Sequence, residues 1–354
     1  LEPHYIHGDQ FGPLSDLEDI WQYEDEALLG PSHAYPWRLN KAASEIGVRV
    51  VLDGLDGDTT VCHGVPRLRE IAQKGEWRYF FQEATAVSKN FEVPVYSLFK
   101  SYGIPQLQAQ ARRLRLCSFT TALNEIHQTF GVTYKKLILN YGIKSFIPNF
   151  FKQLFKRKQT PVKSETEPLI NRDFAQRIDL DKRIKSMDQS PHEASTTKEY
   201  HWQGLNAGIF PYINEQLDRY AMPFSLDIRH PFLDKRLVEF CLALPAEQKL
   251  NQGWGRMVMR RGLENILPKA VQWRGGKTSM TPNFVHGMLK LNGKLVDEVI
   301  CNDLNLIEKY IEADIVREAY ERMKSGVKES DDDNITVWRA VILAMWFRRK
   351  QPLT

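Results

Sequence analysis

No stretch of about 18 uncharged apolar residues occurs in the 354-residue chain, which excludes a membrane-spanning helix. Cysteine is scarce. The four thiols, Cys62, Cys117, Cys241 and Cys301, stand at least 55 residues apart without CxxC or Cys/His metal spacing. That excludes a disulfide framework and a zinc-finger site, and it fits buried thiols in a reducing, cytoplasmic compartment. Neither sign of charge dominates: 48 Lys and Arg against 44 Asp and Glu leave +4, too mild for a nucleic-acid binder. The 21 Gly and 18 Pro follow no collagen period, and a hydrophobic content of 42% is too high for a disordered polymer. No internal repeat is visible. The opening Leu1-Glu2-Pro3-His4 has neither the charged nor the apolar region of a signal peptide. It also lacks an initiating methionine, so the expectation is a portion of a longer chain.

What remains is a globular composition, 26% charged, with a mean hydropathy of −0.43. At one domain per ~100–200 residues, two domains are expected. Charge is unevenly placed. Residues 1–60 hold 12 acidic and 3 basic side chains, whereas residues 100–163 hold 12 basic and 1 acidic.

Apolar spacing at Leu17, Ile20, Trp21 and Leu28 predicts a helix over 15–29, and a second over 33–46 with Ser32 as its cap. Gly47 ends that helix, and Val48-Arg49-Val50-Val51-Leu52 reads as a buried strand. It breaks at Asp53-Gly54-Leu55-Asp56-Gly57-Asp58, a Gly/Asp-rich loop where an α/β sheet binds its ligand. No second good strand stands downstream, so the rest of the sheet is expected from elsewhere. The chain turns helical from about residue 66. Tyr134 to Lys158 is basic and partly amphipathic, and Lys135 to Lys163 is a candidate face for a membrane surface or acidic partners, or simply a solvated one. Residues 159–200 lose periodicity and read as a linker. Leu233 to Leu244 then follows helical spacing with Asp234 as cap and Pro245 as stop. A last helix carries Ile335, Trp338, Ile342, Met345 and Trp346 on one face.

Three clusters can carry chemistry. The loop Asp53–Asp58 suits a hard cation and phosphate oxygens, or is an ordinary βα turn with Asp bonding its own backbone. His63 nearby is a candidate ligand, although a single histidine is more commonly structural. In Leu217-Asp218-Arg219 and Asp227-Ile228-Arg229-His230-Pro231-Phe232-Leu233-Asp234, acids and arginines alternate before a helix start. They suit bidentate anion binding or an internal Arg–Asp network. The third is Trp273-Arg274-Gly275-Gly276-Lys277-Thr278, where a cation beside two glycines suits a polyphosphate leaving group or is a solvated lysine.

In order and wording the clusters resemble the synthetase domain of the asparagine synthetase family, the amide-forming ATP pyrophosphatases. Val50 to Thr59 is similar to that family's strand and Ser-Gly-Glu-Gly-x-Asp-Glu loop. Leu217-Asp218-Arg219 and Asp227 to Asp234 are similar to its Leu-Asp-Arg and Glu-x-Arg-x-Pro-Phe-Leu-Asp strings. Leu244-Pro245, Arg260, Leu267-Pro268, Arg274, Lys277 and Trp338 to Trp346 follow in family order, so the match covers about 30–64 and 205–348. The resemblance implies an α/β fold: a partial parallel-sheet, adenine nucleotide α-hydrolase-like nucleotide-binding portion over 1–130 and a basic helical segment and linker over 131–200. A largely helical C-terminal subdomain over 201–354 would follow. It also implies an ATP-dependent, AMP-forming amide ligase that adenylates a carboxylate of an amino acid or peptide before amine attack. Asp53, Gly54, Gly57 and Asp58 would bind the nucleotide's pyrophosphate, with Asp58 on Mg²⁺. Arg274 and Lys277 would be the catalytic cations, and Asp218, Arg219, Asp227, Arg229 and Asp234 would support the pocket.

The departures are specific. Leu55 and Thr59 replace two loop glutamates, and Arg256 stands where a lysine is common. An opening Asp53-Gly54 is closer to lasso-peptide cyclases than to ammonia-using members. The family's Ser-Gly-Gly-x-Asp-Ser phosphate loop occurs nowhere in the chain, nor does a glutaminase domain with its leading Cys. An upstream segment or separate chain is therefore expected to supply the loop. The alternative is a non-catalytic relative that binds a peptide or partner protein.

Overall fold

The computed structural model describes residues 2–143, 169–187, 194–276, 278–326 and 330–350. Along the chain the elements that position the cleft are α1 (Ala34–Glu45), β1 (Val50–Leu52) and α2 (Gly57–Val61). Next come α3 (Trp77–Phe91), α4 (Leu116–Phe130), α5 (Thr197–Leu205) and α6 (Ile209–Ala221). After them follow β2 (Asp227–Arg229), α7 (Lys235–Ala243), β3 (Leu250–Asn251), β4 (Trp254–Gly255) and α8 (Met257–Gly262). The chain closes on α9 (Ala313–Ser325) and α10 (Asp331–Lys350). No described helix is long and apolar enough to cross a membrane.

β1 has a parallel partner after all. Val50, Val51 and Leu52 pair with Asp227, Ile228 and Arg229, closed by Asp227 N–H donating to Arg49 O (2.9 Å) and Asp53 N–H to Arg229 O (3.1 Å). The sequence pattern hides β2 because only Ile228 of its three residues is apolar. The flanking helices set the register. Asn40 Nδ2 of α1 donates to Tyr220 O at 3.1 Å, and Ser44 Oγ donates to Phe224 O at 3.1 Å, so α1 feeds β1 while α6 feeds β2 beside it.

Two hydrophobic cores hold the molecule. One joins Leu17, Ile20 and Trp37 to Val296, Ile307, Val316 and Trp338, so the early chain packs on the last helices. The other gathers Leu68, Trp77, Phe80, Phe99, Leu107, Ile126 and Leu250 around α3 and α4. Trp77, Phe80, Phe81, Ala84 and Val87 line one face of α3, the spacing of an amphipathic helix. Burying each such large side chain is worth about 1.5–3 kcal/mol. Acids in the first turn of α10 (Asp331, Asp332, Asp333) and bases in the last (Arg348, Arg349, Lys350) oppose its dipole.

Several local expectations shift. The helix expected over 15–29 is confined to Leu17–Ile20, because the carboxylate of Glu24 is drawn away to Arg219 and Gln216 of α6. Ser32 lies within a 3-10 turn, Pro31–His33, and does not cap α1 with its side chain. Within the expected linker, Arg172–Arg177 and Leu180–Met187 are helical, the first capped by Asn171, whose side chain accepts from the Asp173 and Phe174 amides. Asp234 caps α7 as expected, accepting from Arg236 N–H at 2.8 Å. Most of the basic stretch up to Lys158 lies outside the described residues.

Candidate functional site

A cleft of about 1250 Å³ opens beyond the carboxyl end of β1. Gly54, Asp56, Gly57 and Asp58 line it from the loop and first turn of α2, and His63 from the turn that follows. Gly255, Arg256 and Arg260 line it from β4 and α8, and Arg274, Gly275, Gly276 and Thr278 from the segment beyond.

The loop is ordered by its own carboxylates. Asp53 Oδ1 accepts from Leu55 N–H at 3.1 Å, the Asx turn that Asp-Gly sequences favour, and the ring Nδ1 of His230 lies 2.7 Å from the same oxygen. His230 follows Arg229 of β2, so the parallel register carries it opposite Asp53. Asp56 sits at φ 56°, in the left-handed region that a short polar side chain tolerates. Its Oδ2 is buried and accepts no hydrogen bond among the described residues. Burial raises the Asp56 carboxyl above its ordinary value, with Asp53 and Asp58 adding to the effect and His230 opposing it. Asp58 is exposed to the cleft, and Arg256 Nη2 lies 2.5 Å from its Oδ1.

The cationic part is built by a short hairpin. Gly253 N–H donates to the buried Glu83 at 2.6 Å and Arg67 Nη1 to Leu250 O at 2.9 Å, which pins β3 and β4 to the second core. Arg256 leaves that hairpin at φ 53°, and its Nε is buried without an acceptor among the described residues. Arg260 lies over Trp254 (4.5 Å) and Trp273 (5.7 Å). It also donates to the carbonyls of Gly255 (2.9 Å), Gln272 and Arg274 (3.0 Å). Its role is to hold the next loop against α8. Gly275 is needed there, since an added Cβ would come within 1.7 Å of Asn90 O. Arg274 reaches Thr278 Oγ1.

The residues singled out in the sequence therefore divide. Gly54, Gly57, Asp58 and Arg274 share the cleft, and Asp53 braces its loop. Lys277 lies outside the described residues. Asp218 is exposed on α6, and Arg219 pairs with Glu24 (3.0 Å) and Glu215 (2.5 Å). Asp227 and Arg229 pair with each other at 2.7 Å. Asp234 pairs with Arg236 at 2.7 Å, which holds its carboxyl down to about 2. None of these five lines the cleft. Sequence reasoning missed His230 as the partner of Asp53 and Arg256 as the partner of Asp58. The first was available from aligning the two strings as parallel strands; the second joins residues 198 positions apart and left no local signal.

Among the described residues no three His, Cys, Asp or Glu side chains converge as a metal cage. Mg²⁺ does not require one, because it is commonly held by one or two carboxylates with substrate phosphates and water. The orphan oxygen of Asp56 beside Asp58 fits that use, and the orphan Nε of Arg256 fits a phosphate oxygen.

The asparagine synthase family model matches residues 3–348. Among curated proteins, asparagine synthetase 3 (glutamine-hydrolyzing) of Bacillus subtilis (strain 168) is 38% identical over 72 residues, 20% of this chain and 11% of that protein. The asparagine synthetase (glutamine-hydrolyzing) of Gallus gallus is 33% identical over 88 residues, 24% of this chain and 15% of that protein. The matched stretches thus span less than a fifth of either relative. No solved structure matches the chain significantly. Because the family match runs over nearly the whole chain and takes in both strands and the cleft between them, the chain belongs to the asparagine synthase family.

Proposed function

We propose that the chain forms part of an ATP-dependent, AMP-forming amide ligase. The carboxylate of an amino acid or peptide attacks the α-phosphorus of ATP, pyrophosphate leaves, and an amine then displaces AMP from the acyl carbon. The observation that supports this most is the pairing of an unsatisfied acceptor on Asp56 with an unsatisfied donor on Arg256 in one cleft, joined by the Asp58–Arg256 contact.

Mg²⁺ bound at Asp58 and Asp56 would neutralise charge on the departing pyrophosphate. Asp58 and Asp56 would hold the metal, and Arg256, which contacts Asp58 in its absence, would offer its guanidinium to the phosphate oxygens, a bidentate partner for such groups. Arg274 adds a second cation, and Lys277 is assigned to the same charge by family resemblance. Asp53 and His230 keep the loop in register with β2. This chemistry is positioning and charge neutralisation, which calls for these groups more than for a nucleophile. Loss of the amine proton needs an acceptor other than residues 55 and 59, since Leu55 and Thr59 carry no carboxylate.

The sheet supports the same reading. Val50 is 45% and Leu52 67% exposed, whereas parallel strands are ordinarily covered on both faces. An upstream segment or separate chain bearing the phosphate loop would cover that face.

Carboxylate-dependent exchange of pyrophosphate into ATP by the full-length protein tests the proposal. Asp58→Asn should lower exchange about 100-fold or more, as loss of one preorganised charge stabiliser does. Asp314→Asn, which removes a surface partner of Arg317, should leave it unchanged. Equal rates in wild type and Asp58→Asn would overturn the assignment. Leu55 and Thr59 favour a second reading, a non-catalytic relative that binds a peptide or partner protein. Peptide binding by wild-type protein that shows no exchange would select it.

A further inference from the structure

Resting on that reading of the cleft, a second feature assigns it one more ligand contact. The turn after α2 runs through Cys62 at φ 58°, ψ 127° and Gly64 at φ 77°. A non-glycine residue in that region costs roughly 1–3 kcal/mol and persists only where its surroundings over-determine it. The surroundings here do so. Cys62 is buried, an added Cβ on Gly64 would meet the Lys249 carbonyl carbon at 2.5 Å, and one on Gly255 would meet His63 O at 2.7 Å. Beneath the turn, fully buried Lys249 donates from Nζ to His201 Nδ1 at 3.0 Å. The residue held between the two left-handed positions is His63, half-buried and lining the cleft beside Asp58, Gly255 and Arg256.

Its ring is fixed in one tautomer. Val65 N–H donates to His63 Nδ1 at 3.0 Å, so in the neutral ring the proton resides on Nε2. Nε2 lies 3.2 Å from Tyr200 Oη, with the two rings edge-on at 5.5 Å. Burial pushes the Tyr200 phenol above its ordinary value, so it stays neutral and is a weaker acceptor than an anionic oxygen.

We propose that His63 is a neutral hydrogen-bond donor to an anionic oxygen of the ligand in this cleft, its Nε2–H resting on Tyr200 when the cleft is empty of ligand. The Val65 amide sets the tautomer, and the strained turn aims the ring. This is a donor's role, since an imidazole already protonated on Nε2 and committed at Nδ1 has no lone pair to act as a base.

Calorimetric titration of the full-length protein with inorganic pyrophosphate and Mg²⁺ tests it. His63→Phe should weaken binding about 10- to 100-fold, the range for one lost hydrogen bond to a charged group. His63→Gln, which keeps a donor, should recover part of the loss, and Tyr200→Phe should bind no more weakly than wild type. If wild type binds and His63→Phe binds equally well, this inference falls while the functional reading stands. If wild type binds no pyrophosphate, both fall. Independently of the variants, ¹⁵N spectra of the His63 ring should show the Nε2–H tautomer. A ring protonated on Nδ1 would overturn the inference by itself.

Discussion

The helical cores and the two-stranded sheet follow different rules. Trp77 and Trp338 are fully buried, each inside a cluster that supplies contacts on every side. Leu52, an apolar residue in a parallel strand, is two-thirds exposed, and its strand is only three residues long. Two short strands cannot bury both of their faces, and an isolated pair is marginal in water. The helices around the sheet therefore hold it in place, through Asn40, Ser44 and the Asp53–His230 contact. Stability resides in the cores. The cleft lies at the incompletely covered region, where charged groups converge and, among the described residues, Asp56 Oδ2 and Arg256 Nε are buried without a hydrogen-bond partner.

The contrast makes quantitative demands. Trp338→Ala should destabilise the protein by about 3–5 kcal/mol in urea unfolding, because it deletes a large side chain from the centre of one core. A loss below about 1 kcal/mol would mean that core is not the stabilising unit.

A pH effect of intermediate size should come from the same core. His33 is buried against Trp338, with ring centroids 5.3 Å apart, and burial lowers its pKa to about 4. The unfolded chain then binds more protons than the folded one between about 6.5 and about 4. Stability is fully present above about 6.5 and falls as the pH drops through that window, by up to about 1.4 kcal/mol per pH unit from this group. Urea midpoints measured at pH 7.5 and pH 5 should show the loss, and His33→Asn should reduce it. An unchanged slope in the variant would place the acid sensitivity elsewhere.

The smallest effect belongs to the sheet. Leu52→Ala should change the stability of residues 1–354 alone by less than about 0.5 kcal/mol, as for a surface substitution. A loss near that of a core residue in this chain alone would show that the face is already covered without the upstream segment.

What the sequence revealed follows from the range of each interaction. Asp234 was legible as a cap because capping is settled within three residues, and β1 because Val50-Val51-Leu52 is apolar and β-branched. β2 was not, since its outer residues Asp227 and Arg229 are polar and its strand character comes from pairing with residues 177 positions earlier. The cleft was half legible. Its acidic loop is contiguous in sequence, but the pairing of Asp58 with Arg256 exists only once the β3–β4 hairpin is packed on α3 through Glu83. Resemblance named Asp227, Arg229 and Asp234 as pocket support, whereas their visible partners are each other or Arg236.

The most direct measurement is the Mg²⁺ dependence of ATP binding to the full-length protein, wild type against Asp58→Asn. If the acidic loop and Arg256 form the pyrophosphate site, Mg²⁺ should strengthen ATP binding at least tenfold in the wild type and have little effect in the variant. Equal Mg²⁺ enhancement in both proteins would contradict the account.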